Sequence, residues 1–452
     1  MNASKRLGLG LVGALLASGL LLAACAAPDG RAHAKQPGDV VFRHPGVVVS
    51  HTQLQHAKKM VAEGKEPWRT AYQDLLRSKY ASLSYAAHPA DVVPCPFNSG
   101  PQSCLDERQD AIAAYTHALL WSVTGRTAHV RKAVEIMDGW SARMKRHEKD
   151  NGGLQAAWSG STWARAAEIV HADYPNWEKS QVDRFKEMLR TAYLPAVRSE
   201  VPTYNGNWEL AMTDASLSIA VFLEDQAVFK ESLERFRTRV PAYFYLRKDG
   251  PHPIGPAHTG IDTPAKVKAY WFDQGTYVDG VAQETCRNLM HVGYSLAASA
   301  HIAETAWYQG VDLYGEEGDR IKAALEFHAK YQLGEEPPQW LCGGKVERTM
   351  GPDLEVALHH YATRTGADLP YTRRLVEAMR PAGTDDLFVA WETLTHGEAP
   401  AAGRGPVVDA RGEDGGAGDG VVDQGVSGEL GSEQGSSTAP STAPSRAPEG
   451  TA

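Results

Sequence analysis

Between residues 51 and 395 apolar positions return with the period of an amphipathic helix, and that period restarts many times. Ile112, Ala113, Tyr115, Ala118, Leu119 and Val123 form one stripe over 106–123, which stops at Gly125. Val130, Ala133, Val134, Met137, Trp140 and Met144 form the next over 127–144. The same reading predicts helices over 153–170, 180–197, 209–223, 226–240, 277–308, 320–331, 354–365 and 372–379, the 277–308 stretch being long enough to be broken. No convincing run of alternating strands appears. The fold class is therefore all-α. Successive helix pairs in one domain can stack as an α-solenoid or close into an (α/α) toroid around a central cleft. A solenoid usually carries a readable repeat, and none is present, which favours the toroid. The Gly/Pro-rich stretch 248–266 interrupts the helices and is expected to form a lid or a wall of the cleft.

The two ends fall outside this pattern. Lys5 and Arg6 precede an apolar stretch from Leu7 to Leu22 that ends in Leu22-Ala23-Ala24-Cys25. This reads as an export signal over 1–25, and its end resembles a bacterial lipobox in which Cys25 carries the lipid. The expected location is the outer face of the cytoplasmic membrane, with contact to the membrane only through Cys25. Residues 26–44 are expected to be a linker and 45–398 the catalytic domain. From 399 to 452 there is no Trp, Tyr or Phe, and Gly, Ala, Ser, Thr and Pro dominate, so a disordered acidic tail is expected.

The formal charge of the whole chain is −9. This argues against a general nucleic-acid binder, which would be basic. An anionic ligand must then be met by a local basic patch. Of the five cysteines, Cys95 and Cys104 lie nine apart in a Pro/Asn/Ser/Gly-rich segment and are expected to pair in an oxidising compartment. Cys286 and Cys342 can pair or remain thiols. No CxxC or HExxH spacing points to a metal, and no cofactor is expected.

Two stretches carry candidate chemistry. On a continuous helix Arg287, His291 and Tyr294 would fall within about 60° of arc, presenting a cation, an imidazole and a phenol on one face. The plain alternative is a buried polar cluster. Tyr204-Asn205-Gly206-Asn207-Trp208-Glu209 reads as a turn opening a helix, where Asn207 either caps it or donates a hydrogen bond to a carboxyl group. Trp158 and Trp163 stand five apart on a predicted helix, and either ring could stack on a sugar or pack in the core. Arg165, Lys266 and Lys268 are possible contacts for further carboxylates, against a solvated-face reading that is preferred for each. His359 and His360 are read as structural.

Arg287-x3-His291-x2-Tyr294, followed by Ser295-Leu296-Ala297, resembles the catalytic helix of alginate-lyase-domain proteins, the polysaccharide lyases of families five and thirty-eight. Asn205-Gly206-Asn207-Trp208 is similar to their Asn-containing turn, and Leu154-Gln155-Ala156-Ala157-Trp158 and Phe272-Asp273 also look like them. The resemblance spans roughly 45–395. It implies an (α/α) toroid and β-elimination on a β-1,4-linked uronic-acid polymer such as alginate or glucuronan, by a monomer. Asn207 and Arg287 would neutralise the C5 carboxylate, stabilising the enediolate formed as the proton leaves. Tyr294, its pKa lowered by Arg287, would take the C5 proton, protonate the departing O4, or both. His291 would be a partner base or orient the carboxylate. Trp158, Tyr204, Trp208, His252 and His258 would contact the polymer. The family-five turn has His after the Asn, whereas this chain has Trp208, so the imidazole must come from His291, His252 or His258, or be dispensable. Two other readings are a glycoside hydrolase, which needs paired carboxylates from among Glu209, Asp214, Asp273 and Asp279, and a degenerate uronan-binding surface lipoprotein.

Overall fold

The computed structural model describes residues 39–97 and 101–397. The export segment with Cys25, and the tail at 399–452, lie outside the described residues. The described residues from Val40 onward form one compact unit. Its helices are α1 (His51–Ala62), α2 (Trp68–Arg77), α3 (Gln102–Thr124), α4 (Thr127–Ser141), α5 (Gly152–Asp173), α6 (Lys179–Met188), α7 (Leu194–Val197) and α8 (Gly206–Leu223). They continue with α9 (Gln226–Tyr243), α10 (Pro264–Tyr270), α11 (Leu289–Tyr308), α12 (Leu313–Gln332), α13 (Glu355–Leu358), α14 (Pro370–Met379) and α15 (Glu392–His396).

The helices sort by their sequences into inner and outer layers. In α8 every residue from Leu210 to Leu223 is buried, and α11 is buried without a break from Ser295 to Ala306. Apart from Asp214, His301 and Glu304, which are held in buried ion pairs, these runs are small, hydroxyl-bearing or apolar around the circumference, which fits a helix enclosed on all sides. α3, α5, α8 and α11 pack side by side in that order. Three of them have an amphipathic partner outside: α4 on α3, α9 on α8, α12 on α11. α13 continues from α11, α15 packs on α13, and α1 bridges α15 to α3, which closes the ring. The architecture is an (α/α) toroid.

Four details depart from the sequence reading. The 277–308 helix begins only at Leu289: residues 283–287 form turns, and Asn288 is extended (φ −174°). Its side-chain oxygen accepts the His291 amide hydrogen at 3.1 Å, the usual satisfaction of an orphan N–H at a helix start. The helix expected over 180–197 is continued from α6 to α7 by a π turn at Leu189–Tyr193, just before Pro195, which has no N–H to donate. Residues 40–44, expected in a linker, pack on the body. Gln226 accepts from the Val40 amide (3.2 Å) and donates to its carbonyl (2.8 Å), and Phe42 meets Phe229 edge-on at 5.4 Å. Finally, β1 (Val92–Pro94) pairs in parallel with β2 (Arg146–Glu148), two strands too short to show alternation.

Cys95 and Cys104 are bonded, joining the end of β1 to the first turn of α3, and Cys286 is bonded to Cys342. The segment after α14 turns into the ring. There Arg165 donates to the Phe388 carbonyl (2.8 Å), and the Trp391 indole donates to Thr116 (2.8 Å). The 248–266 stretch bonds largely to itself, with the Thr259 hydroxyl donating to the Pro256 carbonyl (2.7 Å). It leads into α10, where Tyr270 donates to the Tyr204 carbonyl (2.6 Å) and so walls the turn that opens α8.

Candidate active site

The turn before α8 packs so closely on Tyr243 that glycine is favoured at 206. A Cβ there would lie 2.3 Å from the Tyr243 ring. Asn207, 3% exposed, does not cap the helix. Its amide nitrogen donates to both oxygens of Glu284, at 2.9 and 2.7 Å. The Tyr243 hydroxyl donates to the same carboxylate at 3.0 Å, and Arg287 Nη1 at 2.7 Å. Glu284 is wholly buried, and a carboxylate taken from water requires such a set of donors. Gln283 beside it accepts from the Gly206 amide and donates to Asn205 Oδ1, both at 3.1 Å. In this structure the Asn207 amide nitrogen therefore meets Glu284. Arg287, with its side chain 25% exposed, keeps Nε and Nη2 free of hydrogen-bond partners among the described residues.

His291 and Tyr294 share α11, but Arg287 precedes the helix, so the three do not form one helical face. Asn288 Oδ1 accepts both the backbone N–H of His291 and His291 Nδ1, the latter at 2.6 Å. Accepting from that N–H identifies the atom as oxygen, so Nδ1 carries the ring proton and Nε2 the lone pair. Burial, aided by the Arg287 charge, lowers the imidazole to about 4, which leaves it neutral near pH 7. Tyr294 moves the opposite way. Burial raises its pKa, the Asp385 and Asp353 carboxylates add to this, and Arg108 opposes it. The lowering expected from Arg287 is absent because the cation nearest in effect is Arg108. The two rings meet edge-on with centroids 5.9 Å apart.

Arg108 was not singled out in the sequence. Its neighbour Glu107 is buried and accepts from Tyr193 (2.6 Å) and Gln155 (2.7 Å), which fixes this turn of α3. The Arg108 guanidinium lies 5.4 Å from the Trp158 ring and makes no hydrogen bond or ion pair among the described residues. Its Nε is buried without a partner. In sequence Asp106-Glu107-Arg108 is an ordinary charged run, and nothing in it reveals that the cation turns inward. Glu284 was equally illegible, since only the fold brings it to Asn207.

The remaining candidates separate clearly. Trp158 is half-buried beside Arg108, whereas Trp163 is a core residue donating to the Tyr193 hydroxyl (3.0 Å). Trp208 packs between exposed Tyr204 (5.1 Å) and Phe97 (6.1 Å) as a rim of aromatics. His252 and His258 are exposed, and no contact links them to Asn207, Arg287 or Tyr294 among the described residues. Arg165 is neither a substrate contact nor on a solvated face: it is buried and donates to Asp214 (3.1 Å) and the Phe388 carbonyl. Lys266 is exposed and paired with Asp262 (3.1 Å). His360 is stacked on Tyr314 at 3.6 Å. Of the carboxylates considered for hydrolysis, Glu209 is bound by Arg239 and Asp214 by Arg165.

Residues 103–251 and 266–340 match the model of the family described as alginate lyase. In the solved structures the chain is similar to alginate lyase A1-III from Sphingomonas species A1, at 18% identity and a TM-score of 0.53. That match covers 78% of this chain and 99% of the other. A form of A1-III complexed with a tetrasaccharide gives 0.55 at 18% identity over 80% and 98%. An alginate lyase from Bacteroides ovatus gives 0.50 at 14% over 78% and 99%. No curated protein matches the chain in sequence. The structural matches share the toroid, and with the family match they define the class as helical-toroid polysaccharide lyases. Within that class, the chain belongs to the alginate lyase family.

Proposed function

We propose that this chain cleaves a β-1,4-linked uronic-acid polymer by β-elimination, with the residues around Glu284 and Tyr294 as its machinery. The observation that carries the reading is an imidazole with Nδ1 bonded to Asn288 and a phenol edge-on to it on one helix, beside two arginines with free donors. A hydrogen on C5 becomes removable only when the adjacent carboxylate is neutralised. Arg287 Nε and Nη2 are placed for that carboxylate, while Asn207 and Tyr243 hold the Glu284 that orients Arg287. His291 Nε2 takes the C5 proton, because it has a lone pair at rest. Tyr294 donates its proton to the departing O4, because burial keeps it protonated. Arg108, over Trp158, meets the carboxylate of a neighbouring sugar. Hydrolysis is the weaker reading, since Glu209 and Asp214 are tied into ion pairs.

Elimination leaves a C4–C5 double bond conjugated to the carboxylate, which absorbs in the ultraviolet. Incubation with alginate, polymannuronate and glucuronan separately is expected to give a rise with at least one, and that polymer names the substrate. Tyr294→Phe is expected to lower the rate by at least about a hundredfold, the usual scale of a lost general acid. A Tyr294→Phe variant with full activity would remove Tyr294 from the mechanism.

A further inference from the structure

Arg287 also lines a cavity of about 520 Å3 that Asn207, His291 and Tyr294 do not reach. Phe272, Asp273, Trp340, Lys345 and Glu347 line it with Arg287. Its two aromatic rings are exposed, Phe272 at 38% and Trp340 at 37%. A large ring left in water on a mobile loop would be unremarkable. These rings sit on backbone that is held tightly.

Trp340 is followed by wholly buried Leu341 and by Cys342, which is bonded to Cys286, the residue before Arg287. Gln274 accepts from the Cys342 amide and donates to the Trp340 carbonyl, both at 3.1 Å. Arg348 ties the following strand of the loop to the Tyr331 carbonyl at 2.8 Å. Phe272 and Asp273 both have positive φ (53° and 60°), as does Cys342 (51°). Non-glycine residues rarely adopt this conformation, a bulky one least of all, and such strain clusters where a ligand is clamped. The fold thus spends a disulfide and three strained residues to present two aromatic faces around an open cavity.

The lining matches one kind of ligand. Aromatic faces suit the apolar face of a pyranose ring. Asp273 and Glu347 accept hydrogen bonds from hydroxyls, and Lys345 meets a carboxylate. The volume lies within the range of small-molecule sites.

We propose that this cavity is a distal subsite holding further uronate units of the polymer, with Trp340 as the stacking platform and Lys345 as the carboxylate partner. The subsite rests on the uronan-lyase reading and extends it. It makes the Cys286–Cys342 bond a latch between the subsite and Arg287.

The test compares kcat/KM on the polymer with kcat/KM on a uronate trimer. The polymer-to-trimer ratio is expected to fall about five- to tenfold in Trp340→Ala, the size of a lost stacking contact, and to be largely restored in Trp340→Phe. Simple loss of folded protein would lower both substrates together and leave the ratio intact. An unchanged ratio in Trp340→Ala overturns the subsite while the lyase reading stands. Retardation in gels containing each uronan is measured in parallel on the full chain. Should the wild type cleave no uronan, the lyase reading fails, and the subsite then stands only if Trp340→Ala reduces retardation. Equal retardation of wild type and Trp340→Ala overturns it.

Discussion

His291 and Tyr294 stand one helical turn apart, and the same burial pushes their pKa values in opposite directions. Burial penalises the charged form, which is the acid of an imidazole and the base of a phenol. His291 is lowered to about 4 and Tyr294 is raised, so both are neutral across the middle pH range. The imidazole accepts protons above about pH 4, and the phenol holds its proton into the alkaline range. The acid limb of kcat/KM is therefore expected to fall only as pH drops through about 4. NMR titration of the His291 ring checks this directly, and a midpoint near the ordinary value of 6.5 would contradict it. That these two rings lie together on one helix was legible from their spacing. Their protonation was not, because it is set first by the burial the fold imposes, with Arg287 adding to it at His291, and Asp385, Asp353 and Arg108 acting on Tyr294 from distant parts of the chain.

Elements, rather than single side chains, decide where Asn207 and Arg287 meet. The turn before α8 and the turn before α11 are both irregular, and Glu284 joins them. A helical period reports the buried stripe of a helix well, yet it reads through a polar turn such as 283–288 as if the helix continued. That is why α11 was legible in its body and misplaced at its start, and why Arg287 was drawn onto the wrong element. Gly206 offers the sharpest test of this junction. Gly206→Ala drives a methyl into Tyr243, which must move and carry its hydrogen bond away from Glu284. The expected cost is about 1–3 kcal/mol in urea unfolding, with a loss of lyase rate beyond what that fraction unfolded explains. Tyr243→Leu in the same chain is expected to recover part of the stability without the rate, since space returns but the Glu284 donor does not.

At the scale of the whole molecule, a segment that hydrophobic pattern alone did not mark turns into the ring and packs on its inner helices. Residues 381–391 have no helical period, and their value lies in what they meet: Arg165, Thr116 and the Tyr294 ring, whose centroid lies 6.1 Å from that of Phe388. Asp385 organises this segment, its Oδ1 accepting the amides of Leu387, Phe388 and Val389 at 2.8, 3.0 and 3.0 Å. Its Oδ2 is buried without a partner. Burial raises this carboxyl from 3.8 to about 7, outweighing the three amides, which act to lower it. The sign then follows from linkage. A group that binds its proton more tightly when folded contributes stability in full below its ordinary pKa. That contribution declines as pH rises from there and is gone above the folded value. Over that interval, from near 3.8 to about 7, Asp385 is expected to cost up to about 1.4 kcal/mol of stability per pH unit. Asp385→Asn keeps the oxygen that the three amides need and cannot ionise. Urea unfolding between about pH 5 and pH 8 is therefore expected to show a flatter pH dependence for Asp385→Asn than for the wild type, with the variant relatively more stable at the upper end. Parallel curves would mean that Asp385 is already ionised in the fold and that its charge is met by a partner.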